Sequence, residues 1–220
     1  MKTKTRARHA EDKGKRREMI LDAAEKVIAK RGVEGANFGA VAKQSRLSRS
    51  LIYVYFPKRE DLFHAVCERG LLVLQVYLVK AVALHTTGLE QVIAMAKAYY
   101  AFSRDEPLYF SVIAEQEAYT IPPSEKGVIE QKLSDCGKQV LGFVAAAIKK
   151  GIDDGSVSST CGDPMLSAVS IWAFAHGITQ VSTSKECVLK YDFGVTAVDT
   201  AEHGFRLIRQ ALVRRKPAKL

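Results

Sequence analysis

Arg49, Ser50, Tyr53 and Val54 share one side of a short apolar helix, and together they offer a forked cationic donor, a hydroxyl, a phenol and a methyl surface. That set suits the edges and phosphates of a DNA duplex: arginine pairs with a guanine edge or a phosphate, and small hydroxyls and methyls touch bases. On this reading Ser50 and the methyls of Leu51 and Val54 meet bases, while Ser48, Tyr53, Tyr55 and Arg59 hold phosphates and set the register. The opposite side of the same helix repeats Leu51, Ile52, Tyr55 and Phe56 at helical spacing, so one face is buried while the other is presented. Ser48 is placed to cap this helix, and Pro57 ends it.

The elements that must position this face lie immediately upstream. Asn37 is a good N-cap, at the edge of the reading surface, for a preceding helix whose Phe38, Val41 and Ala42 fall at i, i+3 and i+4. Leu47 reads as a buried turn residue, and a new helix opens near Arg59. Residues 37 to 62 are thus two short helices around a tight turn and the start of a third, which is a helix-turn-helix. Before it, a helix over about 15–30 carries Ile20, Ala23, Ala24, Val27 and Ile28 on one stripe and stops at Gly32.

Charge follows the same division. The 220-residue chain has a formal net charge of +9. Residues 1–59 hold 16 Lys/Arg against 6 Asp/Glu, whereas 60–220 hold 17 against 18, so the basic footprint sits at the end that reads DNA. Residues 1–14 read as a flexible basic arm without apolar periodicity. With Arg16 and Arg17 the basic stretch can lie along phosphates or enter the minor groove, the alternative being an idle solubilising tail.

A hydrophobic content of 47% over this length supports a buried core. The N-terminus lacks the apolar core of a signal peptide, and the most apolar stretch, 71–84, is interrupted by Gln75 and Lys80 and reads as too short to span a bilayer. A cytoplasmic protein without membrane contact is expected. Cys67, Cys136, Cys161 and Cys187 are scattered, suggesting neither a zinc site nor a disulfide framework. No metal and no cofactor is expected. Nor does a nucleophile elbow, phosphate loop or metal-ligand cluster mark an enzyme.

The stretch from Ile20 to Leu62 resembles the DNA-binding domain of TetR-family (tetracycline-repressor-like) bacterial regulators. The resemblance rests on Ile20-Leu21-Asp22-Ala23-Ala24, Gly32, Val41-Ala42, Arg46-Leu47-Ser48, Ile52-Tyr53-Val54-Tyr55-Phe56 and Arg59-Glu60-Asp61-Leu62, in that order and spacing. It covers roughly a fifth of the chain. Departures from the family pattern are Arg46 at the usual turn glycine, Gly39 where a polar side chain is common, Lys58 at the usual cap and Arg59 for lysine. The backbone at Arg46 must either avoid a positive φ or accept a steric cost.

The resemblance implies an all-α fold: a three-helix DNA-binding domain over 15–58, a connecting helix over 59–84, and a larger ligand-binding and dimerisation domain over 85–220. Helices are expected at about 89–104, 107–119, 126–153, 164–183 and 195–213, with turn formers between them. A ligand pocket is implied by the family. Its candidate lining is Phe102, Tyr109, Phe110, Ile113, Glu117, Phe143, Trp172 and His176, against the plainer reading of the same residues as core. The element around Trp172 and His176 marks either pocket wall or dimer seam. Self-association is suggested by Ala168 and Ala175 on a helix rich in small residues, and by Val198, Ala201, Phe205, Ile208 and Leu212 on the last. The alternative is that both stripes pack within one subunit.

Together these features point to a dimeric transcriptional regulator, more often a repressor. It would bind a palindromic double-stranded operator and be released by a small, largely apolar effector. The competing class is a DNA-binding structural or protein-partner-regulated protein with no small-molecule ligand.

Overall fold

The computed structural model describes residues 2–116 and 127–213, with side chains from Asp12 onward. Ten α-helices make up the described fold: α1 (Lys2–Arg31), α2 (Phe38–Ser45), α3 (Arg49–Tyr55), α4 (Arg59–Val82), α5 (Gly88–Asp105), α6 (Pro107–Gln116), α7 (Val128–Asp153), α8 (Pro164–Ser184), α9 (Glu186–Asp192) and α10 (Ala197–Leu212). A 3₁₀ turn at Ser159–Cys161 precedes α8. The all-α expectation holds for the described residues, and no strand interrupts them.

Local chemistry fixes most helix ends. The Thr87 hydroxyl accepts from the backbone N–H of Glu90, Asp163 accepts from Leu166 with Pro164 in the first turn, and Thr196 with Asp199 closes a reciprocal capping box. Gly32, at φ 69°, takes the left-handed position that ends α1.

Two elements differ from the sequence pattern. Residues 2–14, expected as an irregular arm, continue α1 as helix. Their Lys, Arg, Ala and Glu are strong helix formers, and Gly14 alone, at a cost of about 1 kcal/mol, does not stop a helix anchored downstream. The short α9 is not signalled either. With only Leu189 buried, seven residues are too few to show a period.

Contacts divide the chain into two units, Met1–Gly70 with Leu108–Ser134, and Leu71–Pro107 with Asp135–Leu220. The sequence pattern instead assigns everything beyond 85 to the second domain. Leu108–Ser134 joins the first unit because Tyr109 of α6 donates to Glu25 of α1 at 3.0 Å, and because buried His64 of α4 faces Glu130 of α7 at 3.6 Å.

The core of the first unit holds Ile20, Leu21, Ala23, Ala24, Val27 and Ile28 of α1, with Phe38 and Val41 of α2, Ile52 of α3 and Phe56 also buried. Fully burying one such side chain contributes about 1.5–3 kcal/mol, so a few of them decide whether this small domain holds. Between Ala24, Ile28, Val33, Ala36, Arg59, Leu62, Phe63 and Val66 lies a cavity of about 10 Å³, room for at most one water.

In the second unit, Ala201, Phe205, Ile208 and Leu212 of α10 are buried, as are Val92, Ala96 and Phe102 of α5 and Ala168, Ala175 and Thr179 of α8. Arg209 grips Glu90 through two hydrogen bonds of 2.7 and 3.0 Å, tying α10 to α5. At the start of α5, a Cβ added to Gly88 would overlap the backbone of Gly151 and Ala147 on α7, so the two chain segments touch main chain to main chain. The helix α4 is long and apolar enough, by length and composition alone, to cross a membrane; 50% of the relevant window is buried within the chain, as in a core helix. The apolar stretch 71–84 is too short by itself, but the helix that carries it begins at Arg59.

Candidate nucleic-acid interface

The reading surface is built by two caps and a left-handed turn. Asn37 Oδ1 accepts from the N–H of Ala40 at 3.0 Å and so starts α2. Arg46 then takes φ 56° and ψ 33°, the left-handed conformation, and the N–H of Leu47 donates back to the Ala42 carbonyl at 3.1 Å. This closes α2 as a glycine would, but with a side chain present at a cost of about 1–2 kcal/mol. Of the two possibilities open in the sequence, the chain accepts the strain. Ser48 Oγ accepts from Leu51 N–H at 3.2 Å and lies 3.0 Å from Ser50 Oγ, which starts α3.

The geometry of α3 then matches its sequence pattern. Ile52 and Phe56 are fully buried; Arg49, Ser50, Tyr53 and Val54 are exposed, Val54 at 69% and Tyr53 at 48%. Leu47, Leu51 and Tyr55 are half-buried, so Leu47 is not the fully buried turn residue that the pattern suggested. Tyr53 meets Phe38 of α2 edge-on, ring centroids 4.7 Å apart, which fixes the phenol's direction while leaving it accessible. Arg17 lies over the Phe56 ring at 5.4 Å, joining α1 to the end of α3; Arg16 is exposed.

One assignment changes. Arg59, expected on a phosphate, donates through Nη2 to the Val33 carbonyl at 2.6 Å and through Nε to the Ala36 carbonyl at 3.4 Å, with Glu34 3.9 Å away. Its planar fork fits the Val33 and Ala36 carbonyls of the turn that follows α1, so the guanidinium is engaged in bracing that turn. Lys58, at the unusual cap position, is compensated from the other side: its N–H donates to Asp61 Oδ2 at 2.9 Å.

This helix-turn-helix has recognisable relatives. Residues 20–66 match the family model described as bacterial regulatory proteins, tetR family. That model covers the helix-turn-helix end of the chain, from within α1 to the first turns of α4. Over 61 residues it is 38% identical to an uncharacterized HTH-type transcriptional regulator, YfiR, of Bacillus subtilis (strain 168); the match spans 28% of this chain and 30% of that protein. Solved structures extend the likeness of fold to nearly the whole chain. A Rhodococcus sp. RHA1 protein of unknown function has a TM-score of 0.71 at 20% identity, covering 90% of this chain and 95% of its own. A transcriptional regulator from Saccharomonospora viridis in complex with choline gives 0.68 at 20% identity, covering 92% and 100%. The regulator FadR from Bacillus subtilis, in complex with stearoyl-CoA, gives 0.67 at 17%, covering 89% and 98%.

The candidate pocket residues of this chain do not form one group. Tyr109, Phe110 and Ile113 belong to the first unit, where Tyr109 bonds to Glu25 and the other two are buried. Phe102 is fully buried with Tyr77 edge-on at 5.6 Å. Phe143 is 39% exposed, and Glu117 lies outside the described residues. Trp172 and His176 do come together on α8, ring centroids 6.2 Å apart, and Tyr99 of α5 joins them with its hydroxyl 2.8 Å from His176 Nδ1. Burial pushes the His176 pKa down, so the imidazole is neutral near pH 7.

The dimer assignment is also corrected. Ala168, Ala175, Ala201, Phe205, Ile208 and Leu212 are buried within a single chain, and only Val198 of the proposed set is exposed. An amphipathic stripe buries itself against its nearest neighbour, here α8 against α10, where Gly204 leaves room for Ile178. What the chain exposes is the other side of α8: Leu166, Phe174 and Val181, with the small Ser170, Ala173 and Gly177 between them. Sequence reasoning missed this face because an apolar residue carries no mark of whether its partner is in the same subunit.

Proposed function

We propose that this chain is a tetR-family regulator, a two-fold dimer that binds a palindromic operator through α3, represses transcription there, and is released by a small, largely apolar effector. The observation that carries the reading is α3 itself, whose apolar side is locked into the domain while Arg49, Ser50, Tyr53 and Val54 stand clear on the other. Arg49 reads a guanine edge or a phosphate, Ser50, Leu51 and Val54 touch bases, and Ser48, Tyr53 and Tyr55 hold phosphates beside Asn37. Arg16 and Arg17 add basic contact from α1.

Dimerisation is supported by the exposed side of α8, where large apolar residues alternate with Ser170, Ala173 and Gly177 and permit close helix approach. An effector site is supported by the Tyr99, Trp172 and His176 cluster and by ligand complexes among proteins of the same fold. Selection of bound duplexes from a random pool, followed by footprinting, tests the central claim. Two inverted half-sites with centres about one helical turn or a little more apart are expected. An asymmetric single half-site would overturn the two-fold mechanism.

A further inference from the structure

Glu18, Asp22 and Glu25 fall at i, i+4 and i+7 of α1 and so form one acidic row about 10 Å long. Arg69 of α4 reaches all three. Its Nη1 donates to Asp22 Oδ1 at 2.8 Å and to Glu25 Oε1 at 2.7 Å, and its Nη2 donates to Glu18 Oε2. From α6, Tyr109 donates to the same Glu25 oxygen, and its Cβ lies 3.0 Å from where a Cβ on Gly70 would stand. The buried apolar anchors of α1 begin at Ile20. N-terminal to it, Arg17 over Phe56 and Glu18 on Arg69 are contacts that bind the helix to the domain before its basic half continues to Lys2.

We propose that Arg69 is a positioning residue that sets the direction of α1 and thereby aims its basic N-terminal half along the phosphates of the duplex beside the sequence read by α3. The proposal rests on the DNA-binding reading above. Leverage gives it weight. From Arg17 to Lys2 the helix is about 24 Å long at a rise of 1.5 Å per residue, so a change of about 10° at its base displaces the tip by about 4 Å. That exceeds the roughly 3.4 Å that separates successive nucleotides of one strand along the axis, enough to put the basic residues out of register with the phosphates they neutralise. Lysine at position 69 keeps the charge but, as a point donor on a flexible stem, does not hold three carboxylates in a fixed fork.

The test is a double-mutant cycle on a duplex enriched by the full-length protein, measured across a range of salt. For each phosphate that is no longer neutralised, Arg69→Lys in the full-length chain is expected to lower affinity about fivefold at about 0.15 M salt and to reduce the slope of log K against log salt by about 0.9. In a chain lacking residues 2–14, the same substitution should leave affinity within about twofold. Equal reductions in both backgrounds would show a general effect on the domain and overturn the proposal, and so would a truncation that changes neither affinity nor slope. Should Arg69→Lys fail to fold, Glu18→Gln decides by sign. It removes a negative charge, so tighter binding refutes the positioning role and weaker binding supports it. Retained sequence selection in a chain whose truncation is silent leaves the helix-turn-helix reading standing, whereas a full-length chain that selects no sequence removes that reading as well.

Discussion

Arg46→Gly should make the protein more stable, although it deletes a side chain from the DNA-facing turn. Arg46 is the single non-glycine residue at positive φ among the described residues, held there by the bond from Leu47 N–H to the Ala42 carbonyl. An L-residue in that conformation costs about 1–2 kcal/mol through the crowding of Cβ against the following carbonyl. Glycine removes that cost but gives up about 0.5–1 kcal/mol more chain entropy on folding. The difference is a gain of roughly 0.5–1 kcal/mol, read as a higher urea midpoint at unchanged slope. Because the Arg46 side chain is exposed and the strain arises at Cβ, Arg46→Ala should leave the midpoint nearly where it was. A stabilisation of equal size from alanine and glycine would show that the guanidinium, and not the backbone, is responsible, and would refute the strain argument.

Arg49→Ala should relax base preference at one operator position by about 1–3 kcal/mol, whereas Tyr53→Phe should weaken all sequences alike; an unchanged selection profile for Arg49→Ala would sink the first role. Phe205→Asp, which would be a dimer-breaking change if the α10 stripe were an interface, places a charge at a residue only 3% exposed and should unfold the second unit, as seen by circular dichroism. Phe174→Glu, at 42% exposure, should instead give folded monomers by light scattering at micromolar concentration. Burial holds the His176 pKa below its usual 6.5, so the unfolded chain binds the proton first as pH falls. Its stabilising contribution is complete above about pH 6.5 and diminishes as pH drops through the folded-state value, and His176→Gln should flatten the fall of the urea midpoint with pH there.

Much of the DNA-reading domain was legible because its signals are local. Asn37 and Ser48 cap where the sequence says they should, and the apolar and exposed sides of α3 separate along the expected line. What could not be read depends on partners distant in sequence. Nothing near Arg59 announces that the Val33 and Ala36 carbonyls will take its guanidinium, and nothing near Tyr109 announces Glu25. The α10 stripe is recognisably apolar and periodic, yet periodicity is the same whether the covering surface belongs to the same chain or to another copy. The acidic row of Glu18, Asp22 and Glu25 is visible as spacing, but its arginine sits 44 positions beyond Glu25. For the basic stretch before Arg16, missing apolar periodicity mimics missing structure, although propensity alone carries the helix through it.

The crossing of Gly88 and Gly151 gives a handle on this protein inside a cell. Where backbone meets backbone, no rotamer can yield, and a second substitution nearby cannot make room. A methyl group introduced at Gly88 strains the second unit, whereas Arg49 and its neighbours belong to the first, so the exposed side of α3 keeps its own chemistry. A Gly88→Ala allele therefore offers a thermal fuse: a regulator competent at low growth temperature and withdrawn on warming, with its target genes read out before and after in the same culture.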